Sequence, residues 1–289
     1  MLDKVILGTA QLGMNYGINN YGRLSKDRVY EILNYAYDND IRLLDTAEVY
    51  GNALQLIGSF LKANPQKRFQ IISKLDPENK IRKSQLINHI KKYLKILNIY
   101  SFHGYMFHNY EHLKKSPDIY MGLQNLKTDG YIENIGISLY ENSEIIDISE
   151  NYNFDFIQVP FNLLDNENKR GEVLKKAKEN CVKIHVRSIF LQGLFFKPYK
   201  EFDDKLKPLI KYLKKIKQIS SKTSIDIDSL AIHYPLKKDY IDNVIFGVHN
   251  LNQFSRNIKT IIRDVLVPSE KIEEISVLEE ELLKPFNWN

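Results

Sequence analysis

The chain has 289 residues, of which 43% are hydrophobic and 27% charged, an ordinary composition for a protein with a large core. Its formal net charge of +5 is a small excess of 41 basic over 36 acidic side chains, and the lysines lie mostly in stretches typical of solvated helix faces, which argues against a nucleic-acid partner. No uncharged run approaches the ~20 residues of a membrane span, and the N-terminal segment lacks a signal-peptide pattern, so we predict a cytoplasmic protein with no membrane partner.

Short apolar, β-branched runs alternate with stretches that have apolar residues at helical spacing. The predicted strands are 5–10, 41–46, 69–74, 102–108, 135–138, 156–160, 182–187 and 243–247. The predicted helices between them include 25–39, 52–63, 84–97, 142–151 and 168–180. Nearly continuous hydrophobic runs are typical of parallel strands buried on both faces. Eight such units predict a single-domain α/β protein over residues 1–289, a (β/α)8 TIM barrel with its active site at the C-terminal ends of the strands.

Local signals refine this prediction. Three helices are preceded by residues able to cap them, Ser25, Ser84 and Asn142. The connection after the seventh strand, 188–242, is longer than the others and contains two predicted helices, at 206–221 and 226–237, so we expect it to cover the mouth of the barrel. The one cysteine, Cys181, lies in an apolar run, which predicts a buried and inert thiol.

Polar side chains close or follow five of the predicted strands. They are Asp45, Tyr50, Lys74, His108, Gln158 and Arg187. Alone, each has an ordinary structural explanation, such as a turn cap for Asp45, a surface ion pair for Lys74 or a satisfied core histidine for His108. Together they would meet at the C-terminal mouth, because that is where side chains project above the filled interior of such a barrel. The combination therefore predicts an active site.

The chemistry that these groups favour is proton transfer coupled to hydride delivery. A tyrosine with a pKa near ~10 is a weak acid, and a cation ~4 Å away is worth about 4 kcal/mol at an effective dielectric of ~20, so Lys74 is expected to lower the pKa of Tyr50 by roughly 2 to 3 units. Asp45 would keep that lysine charged. His108 would donate a hydrogen bond to the substrate oxygen and polarise its carbonyl.

The segments LLDTAEVYG, IISK and YMFHN resemble three blocks of the aldo-keto reductase superfamily, in the order and spacing of that family. The resemblance extends from LGTAQLG to VIFGVHNLNQFSRNI. It implies an NAD(P)H-dependent oxidoreductase that reduces an aldehyde or ketone, with Tyr50 as proton donor, Lys74 and Asp45 as its tuning pair and His108 orienting the small-molecule carbonyl substrate. It also implies that NADP(H), in preference to NAD(H), is bound by Gly8, Thr9, Ala10, Asp45, Ser138, Gln158, Arg187, Ser188, Gly193, Gly247, Gln253 and Asn257.

The chain departs from the family pattern on the cofactor side. Leu139 stands where an asparagine commonly contacts the carboxamide, and Arg187 replaces the tyrosine that begins the following loop, so that a guanidinium would stack on the nicotinamide. Gln253 stands where many NADPH-specific members have an arginine, and Arg256 is a nearby substitute.

Two further expectations concern the ends and the substrate. The first strand leaves no room for the N-terminal hairpin that plugs the barrel in many relatives, and the tail EELLKPFNWN, with Phe286 and Trp288, is expected to cover that end. The segments LGTAQLGMNYG and VRSIFLQG resemble members found in bacterial surface-sugar biosynthesis, which suggests a keto-sugar or sugar aldehyde. The sequence makes no prediction about oligomeric state.

Two short runs resemble motifs of other enzyme classes. The run HNYEH at 108–112 matches a zinc-protease pattern, but its first histidine ends a strand-like run, and no metal is predicted. The run YEHLK at 110–114 mimics short-chain dehydrogenases, but the glycine-rich turn of a Rossmann unit is missing. Two functional alternatives remain open, a cofactor-binding regulatory subunit with little turnover and a dehydrogenase that oxidises a sugar or polyol.

Overall fold

The structure is a computed structural model and describes residues 1–18 and 22–288. Eight parallel strands close into a barrel in chain order, with the last pairing with the first. The strands are β1 (Val5–Gly8), β2 (Leu43–Asp45), β3 (Gln70–Leu75), β4 (Phe102–Phe107), β5 (Ile132–Ser138), β6 (Phe156–Pro160), β7 (Lys183–Arg187) and β8 (Asn243–Gly247). The predicted (β/α)8 barrel is confirmed.

Helices surround this barrel. They are α1 (Ala10–Gly13), α2 (Lys26–Asp38), α3 (Ala53–Ala63), α4 (Leu86–Leu97), α5 (Tyr110–Lys115), α6 (Pro117–Thr128), α7 (Asn142–Asn151), α8 (Glu167–Glu179), α9 (Ile210–Thr223), α10 (Ile227–Leu236), α11 (Leu251–Ile262) and α12 (Ser269–Glu273). Short 3-10 turns cover Leu2–Lys4, Lys83–Gln85, Leu191–Phe196, Tyr199–Glu201, Asp204–Leu209, Glu280–Leu283 and Pro285–Asn287. Within the described residues, no helix combines the length and the apolar character needed to cross a bilayer.

The interior of the barrel is filled with side chains below the strand ends. A cluster of buried residues occupies it, made of Ile6, Ile72, Met106, Phe156 and Ile245. The ring of Phe156 takes the space opposite two glycines, since a Cβ on Gly136 would lie 2.3 Å from it and one on Gly104 3.1 Å. His185 stacks on the same ring with 4.7 Å between the ring centroids. Because the interior is closed in this way, a ligand has room only above it, at the C-terminal mouth.

The helix caps agree with the sequence at one position out of three. Ser25 caps α2, and its hydroxyl oxygen accepts a backbone hydrogen bond at 3.4 Å. The prediction for Ser84 is wrong, because this residue lies inside a 3-10 turn and Gln85 precedes α4. The prediction for Asn142 is also wrong, because it is the first residue of α7 and Glu141 is the capping residue.

Cys181 is exposed, so the predicted buried thiol is wrong. The residue lies in the turn between α8 and β7 with a φ of 63°, and the chain enters the core only with the next residue, Val182. The run is therefore buried at Val182 and at 184–186, while the cysteine stays on the surface at its edge.

The long connection after β7 has two parts with different positions. Its first part, 188–203, contains two of its three 3-10 turns and lies at the mouth, where the Gln192 side chain donates a hydrogen bond to the Tyr16 hydroxyl at 3.3 Å. The backbone N–H of Ile18 also donates to the carbonyl of Gln192, at 3.3 Å. The expected cover is therefore mainly this part, because α9 and α10 belong to the outer helices; α10 packs on α11 and β8, and only its Asp228 borders the cavity among the described residues of these two helices.

The C-terminal tail lies at the opposite end of the barrel from the one expected. Phe286 packs edge-on against Tyr140, with ring centroids 4.8 Å apart, and Lys284 forms an ion pair with Glu141. Both partners follow the C-terminal end of β5, so the tail borders the mouth and the prediction that it covers the other end is wrong. Its last residue, Asn289, lies outside the described residues.

Candidate active site

Asp45, Lys74 and Tyr50 form a connected chain of polar groups at the ends of β2 and β3. The Lys74 ammonium donates a hydrogen bond to one carboxylate oxygen of Asp45 and lies 3.5 Å from the Tyr50 hydroxyl. The other carboxylate oxygen of Asp45 accepts a hydrogen bond from the Gln158 amide at 2.7 Å. Asp45 and Lys74 are 3% and 1% exposed, so each charge depends on the other for compensation. The pairing of β2 with β3 in the barrel is what brings these residues together.

The loop that carries Tyr50 is attached to the barrel by Glu48, which sequence reasoning did not single out. The Glu48 carboxylate accepts hydrogen bonds from the Tyr105 hydroxyl and from His89, the latter at 2.8 Å, and its second oxygen accepts from the backbone N–H of Asp76 at 3.3 Å. Its side chain is only 2% exposed. One buried carboxylate thus joins this loop to β4, α4 and the end of β3.

His108 directly follows β4 and faces Tyr50, the candidate proton donor. Its ring lies edge-on to that of Tyr50, with 6.2 Å between centroids. Burial, reinforced by the positive charges of Lys74 and Arg187, lowers the pKa of His108 to about 3. The imidazole is therefore neutral near pH 7 and carries one N–H able to donate a hydrogen bond.

The pKa of Tyr50 is shifted in the opposite direction from the one expected. Burial, followed by the negative charge of Asp45, raises it well above its ordinary value, and Arg187 opposes this shift. Lys74 does not lower it as predicted, because Asp45 neutralises the ammonium and burial lowers the pKa of Lys74 itself. Tyr50 is accordingly a fully protonated hydroxyl at neutral pH.

A cavity of about 320 Å3 extends from this polar chain across the mouth to α11. Nearly all the residues assigned to the cofactor by resemblance line it: Gly8, Thr9, Ala10, Asp45, Gln158, Arg187, Ser188, Gly193, Gly247, Gln253 and Asn257. The exception is Ser138, which lies behind the wall and accepts a hydrogen bond from Arg187 at 3.2 Å. Leu139, which follows Ser138 and stands where the family commonly has an asparagine, is fully buried in the core.

The far end of the cavity is formed by the N-terminal half of α11. Asn250 caps this helix, and the Gln253 side chain accepts a hydrogen bond from the backbone N–H of His249 at 2.9 Å. Asn257 is 4% exposed, and its amide nitrogen has no partner among the described residues. Arg256 is exposed at the rim and forms an ion pair with Asp228 at 2.7 Å.

These features fit an elongated cofactor that carries polar groups at both ends. The unpartnered amide of Asn257 offers a donor at one end, and buried groups without partners are usually completed by a ligand or by water. Gly247 lines the floor between the ends, where any Cβ would lie 2.0 Å from the Gln11 side chain. A helix N-terminus beside the cavity also favours a negatively charged group such as a phosphate.

Several lining residues were missed from the sequence. Tyr16, Phe190 and Asp228 all line the cavity, and Tyr140 contacts Arg187 behind it. Tyr16 lies in the loop after α1, and the glycines that flank it in the sequence were a usable signal of a close approach. Asp228 carried no signal, because it lies within a helix and reaches the cavity only through the fold.

Comparison with known proteins agrees with this architecture. Residues 4–280 match the model of the aldo/keto reductase family. A D-threo-aldose 1-dehydrogenase from a Pseudomonas species is 23% identical over an alignment that covers 86% of this chain and 89% of that protein. The holo form of the aldo-keto reductase AKR11C1 from Bacillus halodurans superimposes with a TM-score of 0.79 at 20% identity, over 95% of this chain and 92% of its own.

A structure from Pseudomonas aeruginosa assigned as an aldo-keto reductase gives a TM-score of 0.66 at 17% identity, over 89% of this chain and 88% of its own. At such low identities these two structures support only the fold. The family model supports membership of the family, because it matches the chain from the first strand to the C-terminal region. The family consists of oxidoreductases that use nicotinamide cofactors. The chain therefore belongs to the aldo/keto reductase family.

Proposed function

We propose that this protein reduces the carbonyl group of an aldehyde or ketone to an alcohol with a nicotinamide cofactor, and that Tyr50 is the proton donor. The observation that carries this proposal is the connected chain of Asp45, Lys74 and Tyr50 at one end of a cavity that continues to Asn257. Such a cavity has room for a reacting group beside the tyrosine and for a long cofactor beyond it.

Each residue has a distinct part in the proposed reaction. A bound nicotinamide cofactor would supply hydride to the carbonyl carbon. Tyr50, protonated because burial and Asp45 raise its pKa, gives its hydroxyl proton to the carbonyl oxygen as negative charge develops there. Lys74, 3.5 Å away, donates the hydrogen bond that positions the Tyr50 oxygen, and the positive charge of Arg187 favours the phenolate that remains. His108 is neutral and donates a hydrogen bond that orients the carbonyl.

We also propose NADP(H) as the preferred cofactor. Arg256 lines the far end of the cavity and a second surface depression that also contains Lys259 and Arg263. These three side chains follow one face of α11 to its C-terminal end, and with Asp226 and Asp228 in the same depression they leave a net charge of +1 there. Arg256 pairs with Asp228 through its Nε atom, so its two terminal nitrogens are able to bind the 2′-phosphate of the cofactor.

The substrate we propose is a keto-sugar or sugar aldehyde. The same site can run in the oxidising direction, and the similarity to a protein named D-threo-aldose 1-dehydrogenase favours sugar oxidation as the second candidate. A regulatory subunit with little turnover is the third candidate. The connected chain of Asp45, Lys74 and Tyr50 argues against it, because a subunit that only binds the cofactor does not need a proton donor.

Tyr50→Phe tests the proposed function. Removing the proton donor is expected to reduce turnover of a generic aldehyde by about 10²–10⁴-fold, as judged by NADPH absorbance, while cofactor binding measured by fluorescence is retained. The matched control is Tyr100→Phe, at a tyrosine that is 94% exposed. Full turnover in Tyr50→Phe would disprove the assignment of the donor. Cofactor binding by the wild-type protein with no turnover of aldehydes, keto-sugars or sugar alcohols would favour the regulatory alternative.

A further inference from the structure

Arg187 ends β7 and places its guanidinium in the wall of the cavity. Its partners are neutral: the hydroxyl oxygens of Ser138 at 3.2 Å and Ser188 at 3.5 Å, and the ring of Tyr140, whose centroid lies 4.3 Å away. Along residues 1–18 and 22–288, no carboxylate pairs with it. A partly buried guanidinium with five N–H donors is thus held by hydroxyls and a ring alone.

The other cations of the site are already compensated. Lys74 is paired with Asp45, and Arg256, at the far end, is paired with Asp228. Among the described residues, the charge of Arg187 is therefore the unbalanced one at the end of the cavity where the proton is transferred. Its charge acts there directly. It opposes the rise in the pKa of Tyr50 and contributes to the fall in the pKa of His108.

Such an arrangement is unfavourable unless a negative group completes it. Taking a charge partly out of water costs free energy, which is recovered when a counter-charge binds with good geometry. The planar fork of a guanidinium matches the oxygens of a carboxylate or phosphate and binds them through two parallel hydrogen bonds. The two weak hydroxyl contacts orient this fork but leave its charge without a partner.

We propose that Arg187 binds an anionic group of the substrate, so that the proposed reductase acts on carbonyl compounds that carry a carboxylate or a phosphate. This inference rests on the proposed function and specifies its substrate class. It replaces the role expected from the resemblance, in which the guanidinium would serve as a stacking platform for the nicotinamide. The anion would hold the substrate at one end while the carbonyl lies at Tyr50.

The test compares matched pairs of charged and neutral substrates. The carboxylate pair is 4-carboxybenzaldehyde and 4-methylbenzaldehyde, and the phosphate pair is glyceraldehyde 3-phosphate and glyceraldehyde. For the wild type we expect kcat/KM to be at least tenfold higher for the charged member of one pair, and the pair that shows the difference identifies the anion. In Arg187→Met this ratio is expected to fall close to one, whereas Arg187→Lys should keep part of it. Because the ratio is taken within one variant, a general loss of activity cancels.

Two results would overturn the proposal: a wild-type ratio near one in both pairs, or a high ratio that persists in Arg187→Met. Weaker cofactor binding in Arg187→Met with an unchanged ratio would instead support the stacking role. If the protein turns over none of these aldehydes, binding decides the inference, and the proposed function fails only if keto-sugars are not reduced either. In that case a titration with benzoate and with inorganic phosphate, in wild type and Arg187→Met, should show binding of one of them that the variant loses. Equal binding in both proteins would refute an anion site at Arg187.

Discussion

Replacing Glu48 by glutamine removes the charge of the carboxylate that attaches the Tyr50 loop to the barrel and keeps its shape. In either orientation the amide makes weaker contacts than the carboxylate. If its NH2 faces the backbone N–H of Asp76, two donors meet. If the NH2 instead faces Tyr105 and His89, their two hydrogen bonds to a charged acceptor are replaced by neutral ones, in which the hydroxyl and the other tautomer of the imidazole must accept. The side chain is only 2% exposed, so water does not readily compensate.

A buried hydrogen bond to a charged group is worth about 1.5–3 kcal/mol, and we expect Glu48→Gln to lose ~2–3 kcal/mol of unfolding free energy. For a domain of 289 residues, with an unfolding entropy of about 2.1 cal/mol/K per residue, that corresponds to a fall in melting temperature of roughly 3–5 °C. Because the same loop carries Tyr50, kcat should fall as well, even below the melting transition, since small displacements of a reacting group are costly. The assays are thermal unfolding and aldehyde reduction at 25 °C.

The matched control for Glu48→Gln is Glu111→Gln on α5. That carboxylate is 71% exposed and lies 4.0 Å from Lys115, so its loss should change stability very little. Melting temperatures of the two variants that agree within about 1 °C would refute the argument that Glu48 anchors the loop. A large loss of stability with an unchanged kcat would refute only the part that concerns the position of Tyr50.

Two further predictions concern the cofactor and pH. Arg256→Gln should weaken NADPH binding more than NADH binding in fluorescence titrations, and Gln253→Arg should shift the preference toward NADPH. If the ratio of NADPH to NADH affinity is unchanged in both variants, the 2′-phosphate is bound elsewhere. Burial lowers the pKa of His185 to about 3 from an ordinary 6.5, so the unfolded chain binds a proton in this range that the folded protein does not. Stability should therefore fall as the pH drops from about 6.5 to about 3. His185 alone contributes ~2 kcal/mol of this loss between pH 7 and pH 5, and His108, whose pKa burial also lowers to about 3, contributes a similar amount. His185→Gln should therefore remove about half of the dependence that these two histidines share in urea unfolding, whereas the control His103→Gln keeps all of it. An identical pH dependence in wild type and His185→Gln would contradict this sign.

The barrel and the residues at its mouth could be predicted because both follow from local pattern and closure. Strands buried on two faces give continuous apolar runs, and once eight of them close, Asp45, Lys74 and His108 must project at the same end. The sign of the pKa shift of Tyr50 could not be predicted in this way. It depends on how deeply the hydroxyl is buried and on which group neutralises Lys74, and both are properties of the packed structure.

The errors at the surface have a similar origin. The tail with Phe286 is apolar enough to cover either end of the barrel, and only its contacts with Tyr140 and Glu141 decide which. Cys181 ends on the surface because the chain turns there with a positive φ before the strand begins, and nothing in the run CVKIHV marks that turn. Edges of elements depend on such turns, whereas their interiors depend on the hydrophobic pattern.

The proton-transfer groups and the cofactor groups occupy different sectors of the closed barrel. Asp45, Lys74 and His108 belong to β2, β3 and the end of β4, whereas most of the residues that line the rest of the cavity follow β6, β7 and β8. The departures from the family pattern at Arg187 and Gln253 both fall in the second sector. A protein engineer could accordingly alter cofactor choice at Gln253 or Arg256 without changing Asp45, Lys74 or His108, whereas a change at Arg187 would also act on Tyr50 and His108.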